Sequence, residues 1–298
     1  MRFFFPFFFC CCCFLPFEFL LAQTADVGKV VYRLYDAQGA PTSYAALLRA
    51  AQTADVVLFG ELHDNPICHW LEAELTRDLH AALTDKLLLG GEMWEADQQL
   101  LVSEYTSGTI SDKHFEEALQ LWKNYKTDYK PILSFAQQNH IPLFATNIPR
   151  RYASLVFKNG IDVLNTLSNE AKSYIAPFPI AIDLSLPNYK AMLNADMGGH
   201  GADKSGENLP KAQAVKDATM AHFILKNWQK GKLFLHFNGA YHSNNREGIV
   251  WYLLKANPAL KIITISSVEQ GNIHPLEEES KQLADFIVCT PETLTKTH

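Results

Sequence analysis

The stretch Asp55-Val56-Val57-Leu58-Phe59-Gly60-Glu61-Leu62-His63-Asp64-Asn65-Pro66 decides the fold. Its first half is a short, continuously apolar run, the pattern of a parallel strand buried on both faces. Its second half changes at once to carboxylates, an imidazole and a helix start, with Asn65 as cap and Pro66 at the first helical position. Trp70, Leu71, Leu75 and Leu79 follow at helical spacing, and Lys86-Leu87-Leu88-Leu89-Gly90-Gly91 is a second buried strand. Upstream, residues 30–35 alternate like a strand, Gly39-Ala40-Pro41 turns the chain, and Thr42 or Ser43 caps a helix carrying Tyr44, Leu47 and Leu48. This β-α-β-α-β order predicts an α/β fold, a mostly parallel sheet flanked by helices.

Farther along, residues 97–139 have helical period and include Trp122, Tyr125, Tyr129 and Phe135. Residues 142–147 return as a strand. Residues 150–228 hold no core strand; their helices are broken by Pro177-Phe178-Pro179 and by the loop Gly198-Gly199-His200-Gly201, and 212–228 is one long helix. Strands are expected at 232–237, 260–266 and 284–289, with a helix over 247–256. The expectation is one domain over 23–298 whose sheet draws on both ends of the chain, with a helical cap inserted between strands at roughly 97–140 and 160–230.

Composition narrows the function classes. With 48% apolar and 19% charged residues in 298, disorder is excluded. A net charge of −6 argues against nucleic acid as a partner, because such domains carry a basic stripe. The first 22 residues stand apart, with Arg2 and then nine of the 19 Phe, ending in Leu20-Leu21-Ala22. They read as a signal peptide, with export to the periplasm, outer membrane or surface of a bacterium; a membrane association through this N-terminus is the competing reading. Pro6, Pro16 and Glu18 interrupt a clean span, and Cys10 to Cys13 follow Phe residues rather than a lipidation signal. Cys68 and Cys289 remain beyond it, too few for a disulfide framework; two buried thiols or one bridge fit.

Ligands of open α/β sheets sit at the carboxyl ends of the strands. Glu61 and His63 follow one expected strand, Glu92 the next, Asn147, Arg150 and Arg151 another, and Tyr241 and His242 a fourth. Gly-x-x-His follows two of these strands, at Gly60 to His63 and at Gly239 to His242, where glycine is expected to free a sharp turn off the strand. Glu61, His63, Glu92 and His242 therefore suit a divalent metal site or an acid–base site, with Arg150 in the same cleft. The plainer alternative is that each His satisfies a loop or caps a helix.

Gly60-Glu61-Leu62-His63-Asp64-Asn65, Gly91-Glu92-Met93, Asn147-Ile148-Pro149-Arg150, Gln213-Ala214-Val215-Lys216-Asp217-Ala218-Thr219-Met220-Ala221 and Gly239-Ala240-Tyr241-His242 resemble, in order, the motifs of the ChaN-like haem-binding proteins of the Tiki superfamily. The resemblance implies an α/β fold with a helical cap and a secreted or surface-anchored bacterial protein of haem and iron uptake. It implies haem held between two subunits, a homodimer, with Tyr on the iron and His and Lys on the propionates. The superfamily also includes metal-dependent peptidases and erythromycin-esterase-like hydrolases, which makes Glu61, His63, Glu92, Arg150 and His242 the catalytic candidates of the alternative reading. The haem ligand is sought among Tyr125 and Tyr129, four apart and on one face if helical, with Lys123, Lys126 and Lys130 beside them for propionates. A solvated helix with both Tyr packed on the core is the competing reading, and Tyr189, Tyr241 and His200 are the fallback ligands.

Overall fold

The computed structural model describes residue 1 and residues 28–194 and 206–298. Beyond Met1, the segment expected to be a signal peptide, with Cys10 to Cys13, lies outside the described residues, as does the Gly-rich loop with His200. Eight strands occur among them: β1 (Arg33–Asp36), β2 (Pro41–Thr42), β3 (Val56–Glu61), β4 (Leu87–Glu95), β5 (Leu143–Asn147), β6 (Leu233–Gly239), β7 (Ile262–Gln270) and β8 (Phe286–Pro291). They form one sheet in the order β2-β1-β8-β7-β3-β6-β4-β5. The six strands from β8 to β5 pair in parallel, and β1 joins β8 and β2 antiparallel at one edge.

Strand β3 alternates its side chains between two cores, as a strand buried on both faces must. Val57 and Phe59 enter a core with Leu71, Leu75 and Leu79 of α2 (Pro66–Leu83) and Ile132, Leu133 and Ala136 of α5 (Lys130–Gln138). Val102 of α3 (Gln99–Thr106) and Phe115 of α4 (Asp112–Ala118) belong to the same core. Val56 and Leu58 face the opposite side, against Met220 and Ile224 of α9 (Asn208–Asn227) and Ile249, Val250 and Leu253 of α10 (Ile249–Ala256). Ala153 and Val156 of α6 (Arg150–Asn159) extend that layer against Ala212 and Val215. The helices inserted between strands thus cover both faces of the sheet, and their ends also reach its carboxyl edge.

Local chemistry sets the helix starts. Ser43 Oγ accepts the Ala46 N–H at 3.2 Å and caps the helix Tyr44–Ala51. Asn65 Oδ1 accepts the N–H groups of Ile67 and Cys68 at 3.0 and 3.2 Å, with Pro66 in the first turn. Such a cap is worth about 1 kcal/mol. Asn65 is buried, and its amide donates to Glu269 and Thr290, both at 2.8 Å, so the cap also ties α2 to β7 and β8. Cys68 and Cys289 are free, buried thiols.

Strand β6 lies between β3 and β4 and hydrogen-bonds to both. A fragment ending at residue 150 lacks β6 and leaves a strand-wide gap in the middle of the sheet. It is expected to show no cooperative thermal transition by circular dichroism; a sharp, reversible melt would contradict this account of the core.

Candidate functional site

The β3–β6 register sets Glu61 opposite Gly239, so the residues after both strands emerge side by side. A Cβ on Gly239 would lie 2.8 Å from His63 Nε2, and one on Gly60 would lie 2.9 Å from the Ala240 Cα. Glycine is needed at both places for close approach. Both still sit in strand, so the sharp turn expected from the sequence is not their role.

Two imidazole–carboxylate assemblies meet at this edge. In the first, His63 Nδ1 donates to Glu61 Oε1 at 2.6 Å and the Tyr129 hydroxyl donates to the same oxygen at 2.7 Å. His63 Nε2 remains directed toward Gly239 and Glu92. In the second, the buried His242 donates from Nδ1 to Asp217 and from Nε2 to Glu92 Oε1, the latter at 3.1 Å. Glu92 Oε2 accepts the Gly239 N–H at 2.8 Å, and Asp217 Oδ2 accepts the Tyr189 hydroxyl at 2.6 Å. Both carboxylates of the second assembly are thus held from outside it.

Burial alone would lower both imidazole pKa values, but the carboxylates outweigh it. His63 is raised by its hydrogen bond to Glu61 and then by the charges of Glu61 and Glu92. His242 is raised to about 10 by Glu92 and Asp217. Glu92 is held well below the usual carboxylate range despite burial, chiefly by His242. Glu61 is lowered against burial by His63 and His69, whereas Glu72 is pushed up by burial and then by the charge of Glu61.

His63, Glu92, Asn147 and Arg150 line a cleft of about 400 Å³ with Gln213 and Lys216 of α9 and Trp122 and Phe157. The Trp122 ring meets His63 edge-on at 4.9 Å, and the Arg150 guanidinium lies 5.9 Å from the Trp122 centroid. A neighbouring depression of about 410 Å³ is lined by Glu61, His63, Gly239, Tyr241, His242 and His298. The five residues Glu61, His63, Glu92, Arg150 and His242 therefore all border this edge. Among the described residues the metal-type group whose ligand atoms all lie within 4.8 Å of one another is Glu61, His69 and Glu72.

Tyr125 and Tyr129 lie elsewhere than the sequence expectation put them. Residues Tyr125–Tyr129 form a π-helical turn and both rings enter the core, 4% and 1% exposed. Burial raises both phenols, and Glu61 raises Tyr129 further. Lys126 approaches only Glu116, at 3.9 Å, and Lys130 pairs with Asp112 and Glu116 at 2.8 and 2.7 Å. These two Tyr and two Lys share no surface on which a planar ligand could lie.

The sequence reading singled out neither Asp217 nor the buried pair His69 and Glu72. Gln213, Lys216 and Asp217 form an i, i+3, i+4 polar set on α9, and His69 and Glu72 an i, i+3 pair on α2, which is the available signal.

A family model described as haem-binding uptake, Tiki superfamily, ChaN matches residues 47–253. The chain belongs to this ChaN family. No match was found among curated proteins. Among solved structures, ChaN of Campylobacter jejuni, described with cofacial haem, shares the fold at a TM-score of 0.65 and 15% identity, over 87% of this chain and 96% of that one. A variant of erythromycin esterase EreC in its open conformation aligns at a TM-score of 0.49 and 11% identity, over 88% and 98% of the two chains. In this ChaN-family chain, the matched span runs from the helix Tyr44–Ala51 to α10 and contains both assemblies.

The charge pairing around His242 carries a pH signature. A raised folded-state pKa contributes stability that is complete below the ordinary imidazole value of about 6.5. That contribution is lost as pH rises through about 10. The melting temperature is expected to fall between pH 7 and 10. Asp217→Asn should cost on the order of 3 kcal/mol at pH 6, flatten that decline and move the His242 titration, followed by NMR, toward neutrality. A His242 midpoint that stays put in the variant would exclude Asp217 as its controlling partner.

Proposed function

We propose that this ChaN-family chain binds haem over the carboxyl edge of its sheet, with the Tyr241 phenol on the iron, and serves haem or iron uptake outside the cytoplasm. The observation that carries the reading is exposure. Tyr241 is 59% exposed at the mouth of the site, whereas Tyr125, Tyr129 and Tyr189 are 4%, 1% and 2% exposed. A phenolate is an established axial ligand type for haem iron, and an open site needs a phenol that the iron can reach without unfolding the core.

The surroundings suit a large apolar plane with two carboxylates. Leu62 and Ala240 border Tyr241, and Arg150 and Lys216 in the adjoining cleft offer charge-assisted hydrogen bonds to propionates. An open face of this kind covers one side of a haem. The cofacial arrangement described for the Campylobacter jejuni relative would close the other side by a second copy of the chain. Tyr129 enters this reading as the support of Glu61. Export belongs to the same proposal, on the strength of the Phe-rich apolar segment at 1–22.

Haemin titrated into the purified protein is expected to give a tyrosinate-type Soret band. Tyr241→Phe should shift that band and weaken binding at least tenfold, while Tyr125→Phe leaves the spectrum unchanged. An unaltered spectrum and affinity in Tyr241→Phe would overturn the assignment.

One observation favours a second reading as a hydrolase. His63 holds Nδ1 against Glu61 and keeps Nε2 facing the cleft, the arrangement of an oriented general base. On that reading the protein hydrolyses small esters, and His63→Gln lowers kcat at least a hundredfold with little change in KM. Haem-free protein without turnover on a broad ester and peptide panel would remove it.

A further inference from the structure

Behind His63, on the far side of Glu61 from the cleft, lies a buried group that the haem reading does not use. His69 and Glu72, both on α2, meet Glu61 there, and one ligand atom from each lies within 4.8 Å of the others. All three residues are buried. We propose that Glu61, His69 and Glu72 form a site for one first-row divalent cation of the Mn²⁺, Fe²⁺ or Zn²⁺ type.

The hydrogen-bond pattern of His69 points to a cation. Its Nε2 lies 3.1 Å from the His63 carbonyl oxygen, which can only accept, so Nε2 carries the hydrogen. The other ring nitrogen, Nδ1, then faces Glu72 Oε2 at 3.0 Å and Glu61 Oε2 at 3.7 Å. Two carboxylates around one ring nitrogen call for a positive charge there, which a metal ion or a shared proton supplies. A backbone carbonyl that fixes the remote ring N–H is also the usual outer support of a metal-bound imidazole. Asn124 strengthens that support by donating to the same carbonyl at 2.7 Å and to Asp128 at 2.6 Å.

A second observation is independent of the ring. Glu61 Oε2 and Glu72 Oε1 are fully buried, and among the described residues no N–H or hydroxyl donates to them; only a proton shared between the two carboxyls could join them. An orphaned carboxylate oxygen in the interior is costly, and two beside one imidazole are more so. Ligands at about 2.1 Å from one ion lie roughly 3–4 Å apart, so the observed group needs only a small contraction. Two carboxylates and one imidazole neutralise a divalent charge, and this mixed oxygen and nitrogen set suits the middle of the first transition row better than Mg²⁺. Glu61 also lines the open depression at Tyr241, so one ligand of the three lies beside solvent-accessible space.

The site sits under His63 through Glu61, so the ion would hold the carboxylate that orients that imidazole. It is separate from iron carried in haem, and its test uses no haem. Protein stripped with chelator, then given Mn²⁺ or Zn²⁺ and desalted, is expected to retain one equivalent per chain by elemental analysis. Its melting temperature should rise by several degrees, and Mg²⁺ should have no such effect. Glu72→Gln keeps the shape of a neutral carboxyl, so the apo protein should melt within two degrees of the unmodified one, yet lose the retained equivalent and the thermal shift. His242→Gln, in the neighbouring assembly, should keep both. Retention of the metal by Glu72→Gln, its loss only in His242→Gln, or no retained metal in the unmodified protein would each overturn the proposal, the last leaving a proton-sharing His–Glu cluster in its place.

Discussion

The pairing of β3 with β6 is the constraint on which the rest depends. These strands are far apart in the chain, and their parallel register brings Glu61 against Gly239. It sets two imidazoles, one from each strand's exit, on a single edge. Slipping the pairing by one residue would turn every β3 side chain to the opposite face, sending Val57 and Phe59 into the core that Val56 and Leu58 now fill. The two cores therefore enforce the register, and the register assembles the site. Hydrophobic burial, which is non-directional, acquires chemical precision through the two-residue period of a strand.

Holding several ionisable groups in that edge is expensive, and the way it is managed explains much of the surrounding polar structure. A buried ion survives only if its remaining hydrogen-bonding capacity is met. His242 has a carboxylate on each ring nitrogen, Glu92 is pinned by a backbone N–H, and Asp217 by Tyr189. Glu61 takes a phenol as well as an imidazole on one oxygen. Each charge thus meets a partner on a different element, so the assemblies link α9, β4, β6 and the π-helical turn. The stability lost by removing one partner would exceed what the pair adds, because the other charge is left buried and alone.

Much of this was legible in the sequence because it rests on local pattern. The apolar runs at 55–60 and 86–91 are strands β3 and β4, Asn65-Pro66 does open α2, and no core strand occurs among the described residues of 150–228. The carboxyl-end rule located Glu61, His63, Glu92, Arg150 and His242 on one edge without knowledge of strand order. What escaped depends on facts that a single chain's pattern does not encode. Asp217 sits in a helix whose neighbours Met220 and Ile224 are core, and nothing local says that one polar position on it faces a strand end. The insertion of β6 between β3 and β4 is a long-range choice. Tyr125 and Tyr129, four apart, share a face of an α-helix, but the segment adopts a wider π-helical turn and both rings enter the core.

That turn has a physical rationale in the site it supports. Tyr129 must be both core and hydrogen-bond donor, since its ring packs on His69 at 5.1 Å and on Trp122 at 5.8 Å while its hydroxyl reaches Glu61. Trp122, three residues before the turn, packs its ring edge-on against His63. The aromatic segment therefore walls Glu61 from water on one side and shields His63 on another. Lower local polarity strengthens the Glu61–His63 attraction and at the same time raises the cost of leaving either unpaired. Trp122 also lies between His63 and Arg150, with the guanidinium within cation–π range of the indole. The cation at the cleft rim is thereby held on an aromatic face, with the Glu95 carboxylate near it, and it lines the cleft, where an anionic ligand would meet it.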